Sequence, residues 1–234
     1  TLFRSLIILF VAIFIFTGCN HNKIQEINTQ PPAEELSQVT TYADDADIYI
    51  VDVEESAIFW TGRKVLINSE HKGIIKLKEG KIYIKGDREY LGGEFVIDMT
   101  SLETQDIEDP DSRQKMTDHL KGEDFFDVDN YPEAIIKTTA IEKYPPPTDP
   151  WVNHTISANL TIKDKTNNIT FLTEIFESEG NLNAEGSFVI DRTKWDIKYG
   201  SDKFFTGLGD KVIDDFIEFR VILFAHKQET GPTE

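Results

Sequence analysis

Three clusters of residues in this chain have types and spacing that could do chemistry: His71, Asp118-His119 with Asp124, and Asp191-Arg192. An arginine presents a planar fork of donors that suits a pyrophosphate. The alternative at Asp191-Arg192 is a structural ion pair that pins the turn after a strand over 182–190. His71 could contact the headgroup of a ligand or carry a pH-sensitive charge, or it could be a satisfied histidine on a strand. His119 with Asp118 and Asp124 has the makings of a metal or acid–base site. On a short helix, however, such a run reads first as a solvated charged face. Phe125-Phe126 either gates a cavity mouth or docks the helix on the end of the fold. No nucleophile motif, Cys/His metal spacing or phosphate-cradling glycine loop is present. The residues therefore predict no catalytic group, no metal and no cofactor.

Cys19 is the single cysteine, so it cannot close an internal disulfide and needs another reason. It follows Arg4, the apolar run Leu6 to Phe16, and Thr17-Gly18. One positive charge, an apolar core and small residues before a cysteine read as a secretory signal peptide. The run is shorter than the about 20 residues a membrane span needs. Phe16-Thr17-Gly18-Cys19 resembles a bacterial lipobox, whose thiol is alkylated with diacylglycerol and whose signal is cut off just before it. The expectation is a signal peptide over 1–18 and an acyl anchor, palmitate included, on Cys19. The protein would then sit in the bacterial cell envelope. Asn20, where a retention signal would place Asp, points to the periplasmic face of the outer membrane.

These residues must be positioned by a domain, and size and charge bound what it is. The chain has 234 residues, enough for one well-buried core, and a formal charge of −18. Such a surface repels nucleic acid, so no nucleic-acid partner is expected. Residues 19–46 are polar and marked by Pro31-Pro32, and they read as a tether of roughly 30 Å r.m.s. span. From Asp47 the chain alternates apolar and polar residues with a period of two. The clearest sets are Ile156, Ala158, Leu160, Ile162, then Ile169, Phe171, Thr173, Ile175, then Ile217, Phe219, Val221, Leu223, Ala225. Further strands are predicted at 47–54, 56–63, 69–78, 81–86, 92–99, 134–143 and 182–190. Turns are predicted at Glu79-Gly80, Gly92-Gly93, Asp164 to Asn167 and Glu179 to Asn181. Strands with one buried face, joined by short turns, predict an all-β antiparallel sheet, and about eight of them close into a barrel. A short helix is predicted over 109–121, with Pro110 at its start, Gly122 as its stop, and Met116 and Leu120 on one face. A second helical turn is expected near Asp210 to Asp215, and Pro145-Pro146-Pro147 reads as a rigid loop. The barrel domain is expected over 47–227 and a polar tail over 228–234.

Several motifs occur in order: His71-x-Gly73; Gly92-Gly93-x-Phe95-x-Ile97-Asp98-Met99-x-Ser101-Leu102; His119-Leu120-Lys121-x-x-Asp124-Phe125-Phe126-Asp127; Tyr131-Pro132; Leu160-Thr161-Ile162; Phe188-x-Ile190-Asp191-Arg192; Trp195-x-Ile197-x-Tyr199-Gly200. Together, over about 47–226, the chain resembles the YceI family of bacterial envelope proteins. The resemblance implies a lipocalin-like antiparallel barrel that holds a polyisoprenoid or other lipid-like chain, without catalysis. The apolar interior would then include Trp60, Phe95, Ile97, Phe125, Phe126, Ala158, Leu160, Phe171, Phe188, Trp195 and Phe219. His71 and Arg192 would be candidates for the headgroup. Ala158 and Asp164 stand where glycine is usual, and the triple-proline loop is long. Two other readings remain open: an envelope stress or interaction protein with a filled barrel, and an enzyme acting at the barrel mouth.

Overall fold

Alternation commits each strand to one buried face, and the computed structural model shows how those faces close on themselves. It describes residues 46–86, 89–144 and 152–229. The signal segment, Cys19, the tether, the triple-proline run and residues 230–234 lie outside the described residues. Nine strands follow in chain order: β1 (Asp47–Val51), β2 (Ala57–Lys64), β3 (Glu70–Lys85), β4 (Glu89–Thr104), β5 (Glu133–Lys143), β6 (His154–Ile162), β7 (Lys165–Ser178), β8 (Asn181–Asp191) and β9 (Ile213–Lys227). One helix, α1 (Pro110–Lys121), lies between β4 and β5.

Every described pairing is antiparallel, and the β3–β4 ladder closes the ring. β1 and β2 share one place in that ring. Both pair with β3 and β9, β2 along one half of each and β1 along the other. Nine strands thus make a closed barrel of eight positions, which leaves no edge to aggregate. Hereafter the upper end is the one where β2 finishes and β9 begins.

The three alternating sets do face inwards. Ile156, Ala158, Leu160 and Ile162 are all buried on β6, as are Ile217, Phe219, Leu223 and Ala225 on β9. The hairpin at Glu179-Gly180 also forms, with both residues at positive φ (53° and 79°), as a two-residue turn between twisted strands requires. The turn before β7 is tighter than expected, because Lys165 already begins the strand.

Glu79-Gly80 and Gly92-Gly93 are not turns. The first lies within β3, where the register shifts between Leu77 and Glu79. Gly73, Ile75 and Leu77 face in before that bulge, and Gly80, Ile82 and Ile84 after it. The extra residue swaps odd for even positions, so one long strand reads as two short ones. The second lies within β4, and both sites make room for one ring. A Cβ on Gly80 would meet the Phe95 ring at 2.8 Å, and one on Gly93 would meet it at 2.9 Å.

The helix forms as its ends dictate. The Asp109 side chain accepts from the Ser112 amide at 2.8 Å, Pro110 opens the first turn and Gly122 ends the last. Leu120 is buried, and the Thr117 hydroxyl accepts from the Thr104 amide, which docks α1 against the end of β4. The second helical turn is a short one over Gly209–Lys211, and β9 takes over at Ile213.

Candidate ligand-binding site

Inward side chains do not fill this barrel. Among the described residues three cavities follow one another along its axis. The upper chamber is about 510 Å³ and is lined by β2, β3, α1, Phe125-Phe126 and the start of β9. A narrow middle chamber of about 30 Å³ lies between Ile97, Met99, Ala134 and Leu160. The lower chamber is about 100 Å³, and its walls include Phe95, Ile141, Phe171, Leu182 and Ala184. Ile75, Phe126 and Phe219 wall both the upper and middle chambers. Ile58, Ile136 and Phe188 wall both the middle and lower ones. The upper chamber alone is within the range of small-molecule sites.

Most of the interior residues expected from the sequence meet here. Trp60, Phe125 and Phe126 line the upper chamber, and Ile97 and Leu160 the middle one. Phe95 and Phe171 line the lower chamber. Phe188 and Phe219 each border two. Phe125 and Phe126 are both buried, so they serve as wall as well as docking contact. The Trp60 indole N–H is buried with no acceptor in the protein.

Ala158 and Trp195 are different. Both are buried (0% and 1% exposed), yet neither lines any of the three cavities. Trp195 donates its indole N–H to the Leu160 carbonyl at 3.1 Å and is locked into the wall. Ala158 sits between Thr138 and Ile169 of the neighbouring strands. It is small because the sheet is packed there. Ala158→Trp is therefore expected to destabilise by about 1–3 kcal/mol or more through overpacking. A thermal melt equal to the parent's would show that position 158 borders open space after all.

Arg192 borders the upper chamber, but its donors are engaged elsewhere. Nε donates to the Asp214 carbonyl (3.0 Å), Nη1 to that of Ile197 (2.9 Å), and Nη2 to Ile213 (3.2 Å) and to the Asp215 carboxylate (3.3 Å). Burial pushes the guanidinium down, against Asp215, Asp191 and Asp214. The residue is a structural clamp, and its ionic partner is Asp215 rather than Asp191. Asp191 instead accepts from the Thr193 amide and hydroxyl and from Lys203. Burial pushes its carboxyl up, but these donors outweigh that and hold it below the usual carboxylate range. The stability it contributes is complete above the unfolded value, near pH 4, and is lost as pH falls through the lower folded value. Asp191→Asn should flatten the fall in urea midpoint between pH 5 and pH 2. An unchanged fall would remove Asp191 from the acid response.

The two histidines reverse expectation in part. His71 lines the upper chamber, with Nδ1 2.9 Å from Asp106. His119 is no bystander on a charged face. Its ring meets Tyr199 edge-on at 4.8 Å and Phe125 at 5.1 Å, and all three line the chamber. Asp118 turns instead to Gln114 along the helix. Among the described residues no group of three or more His, Cys, Asp or Glu side chains is placed to hold a metal ion. Lys64, Lys211, Met116 and Tyr199 also line the chamber. Of these, Met116 had a signal in its spacing from Leu120, and Tyr199 in the motif Trp195-x-Ile197-x-Tyr199-Gly200.

A model of the YceI-like domain matches residues 49–223. Solved structures share the fold. A Burkholderia cenocepacia protein, BcnA, superposes with a TM-score of 0.56 at 19% identity, covering 74% of this chain and 98% of its own. A polyisoprenoid-binding domain from Saccharophagus degradans, implicated in plant cell wall breakdown, gives 0.52 at 12% identity, covering 77% and 98%. The Campylobacter jejuni YCEI protein gives 0.51 at 19%, covering 71% and 91%. No curated protein sequence matches this chain. The domain match spans most of the closed barrel, its bulged β3 and β4, the capping helix and the Arg192 clamp, and the chain belongs to the YceI-like family.

Proposed function

We propose that this protein binds a polyisoprenoid or similar lipid-like amphiphile inside its barrel, as a non-catalytic carrier in the bacterial cell envelope. The observation that carries the reading is the set of three cavities in series, with shared apolar walls, along the barrel axis. Apolar chambers in series with shared walls suit a chain better than a compact ligand. The polyisoprenoid-binding neighbour from Saccharophagus degradans supports the same class of ligand. The polar end would rest in the upper chamber, near His71, His119 and the unpaired Trp60 donor. The lower chamber, lined almost wholly by apolar groups, would take the tail.

Native mass spectrometry of protein made in a bacterial host tests this. A co-purified hydrophobic ligand is expected, whereas a clean ligand-free mass would favour a filled, structural barrel. Turnover of a supplied amphiphile would favour the enzyme reading. Location rests on Cys19 and the apolar run before it. Two or three acyl chains hold where one only visits, because each buried CH2 contributes about 0.8 kcal/mol. Cys19→Ser should lose the acyl label that the parent takes up from palmitate, and equal labelling of the two would sink the anchor.

A further inference from the structure

Exposed large hydrophobic side chains are concentrated at one end of the barrel. Val65, Leu66 and Ile67 follow β2, and Tyr199, Phe204 and Phe205 lie in the segment before β9. They are 42–65% exposed. Among the described residues the other exposed large hydrophobic is Phe176, near the lower end of β7. The two segments form one rim. The Val65 amide donates to the Val212 carbonyl (3.1 Å), and the Ile213 amide to that of Gly200 (2.9 Å). Tyr199 belongs to the rim and to the chamber wall at once, so the apolar tips lie beside the chamber's mouth.

An apolar rim of this kind marks an interaction site, and its charge narrows the partner. Segments 63–67 and 198–211 carry Arg63, Lys64, Lys198, Lys203 and Lys211 against Asp202 and Asp210. Arg63 pairs with Glu218 and Glu70, Lys198 with Asp196, and Lys203 with Asp191 and Asp215. Lys64 and Lys211 make no ion pair among the described residues. In a chain of net charge −18, and beside the acidic stretch 104–133 at the same end, these two segments offer cations to an anionic surface.

We propose that the rim docks on an anionic bilayer, with its apolar tips in the headgroup–acyl boundary and its lysines at the phosphates. A lipid chain then passes between bilayer and chamber without crossing water. The proposal rests on the lipid-binding reading above. A Cys19 anchor does not forbid it. Asp47 pairs with Ile84 at the lower end, so the tether must reach back along the barrel. The longest strands, at 16 residues, measure about 50 Å along the chain, whereas residues 20–46 span up to about 90 Å when extended.

Leu66→Trp and, separately, Phe176→Trp place an indole at the rim and at the opposite end of the full chain. Each variant is bound to vesicles of phosphatidylethanolamine and phosphatidylglycerol, three to one, with brominated acyl chains. After subtraction of the parent's emission, the indole from Leu66→Trp should be quenched at least three-fold more than that from Phe176→Trp. Phe204→Trp gives an independent second reading. Reversing charge with Lys64→Glu and Lys211→Glu should at least halve the rim quenching at low salt. Equal or absent quenching at the rim of vesicle-bound protein overturns docking, and a rim that meets only a protein partner gives that result. Quenching that ignores both charge reversals overturns the anionic component. Quenching reports docking whether or not the chamber is loaded, so a co-purified ligand without rim quenching strikes docking alone. Rim quenching with a clean ligand-free mass strikes the lipid-binding reading alone.

Discussion

Arg192→Met should be among the most destructive single changes in the barrel, at about 3–5 kcal/mol, the usual cost of breaking a buried ion pair from one side. The guanidinium is fully buried and ties the 3-10 turn after β8 to the start of β9 through the carbonyls of Ile197, Ile213 and Asp214. Methionine fills much of the same space but donates nothing, so three carbonyls lose their donor. Asp215 keeps only Lys203, at 3.0 Å. Arg192→Lys retains the charge and loses the fork, so it should recover less than half of the deficit. Urea unfolding of the three proteins measures this. If Arg192→Met were as stable as the parent and had lost its ligand, the arginine would be a headgroup contact and not a clamp.

Local regularities were legible in the sequence, and breaks in regularity were not. On β6 and β9, where no bulge interrupts the inward set, alternation read the buried face correctly from Ile156 to Ile162 and from Ile217 to Ala225. The helix was legible because its signals are local: a capping aspartate, a proline and a closing glycine within one short segment. β3 and β4 were misread because glycine has two uses. At Glu179-Gly180 it supplies a positive φ, whereas at Gly80 and Gly93 it yields space to Phe95, a residue distant along the chain from Gly80. No window of sequence separates these uses. The same limit applies to the site. Arg192 was visible as a special residue, but apart from the Ile197 carbonyl its partners lie more than twenty residues away, at the start of β9. His119 read as part of a charged helix face because Tyr199, the ring that meets it, arrives from the far side of the barrel's chain path. An apolar inward face is also the same pattern whether the barrel is filled or hollow. Only the radius set by eight strand positions decides between them.

The lower chamber should set the length of the bound chain, and Ala184→Phe tests that with the second large effect. On β8 the inward residues Leu182, Ala184, Gly186 and Phe188 all line this chamber. Ala184 is only partly buried, so a larger side chain there enters open volume and does not displace a neighbour. Gly186 would serve less well, because a Cβ there would already meet the Phe171 ring at 3.1 Å. A phenyl group at 184 occupies most of a cavity of about 100 Å³ and leaves the upper chamber untouched. Melting should shift little, since buried ring surface offsets any local strain. The pool of co-purified ligand should instead move to shorter chains, with the longest species reduced at least ten-fold. Gas-phase release of ligand from the parent and the variant in one spectrometer gives the two distributions directly. Identical distributions would place the tail elsewhere, and the three chambers would then not act as one path. A loss of every ligand with stability intact would show instead that the tail's anchorage in the lower chamber, more than the headgroup's in the upper one, holds the chain in the barrel.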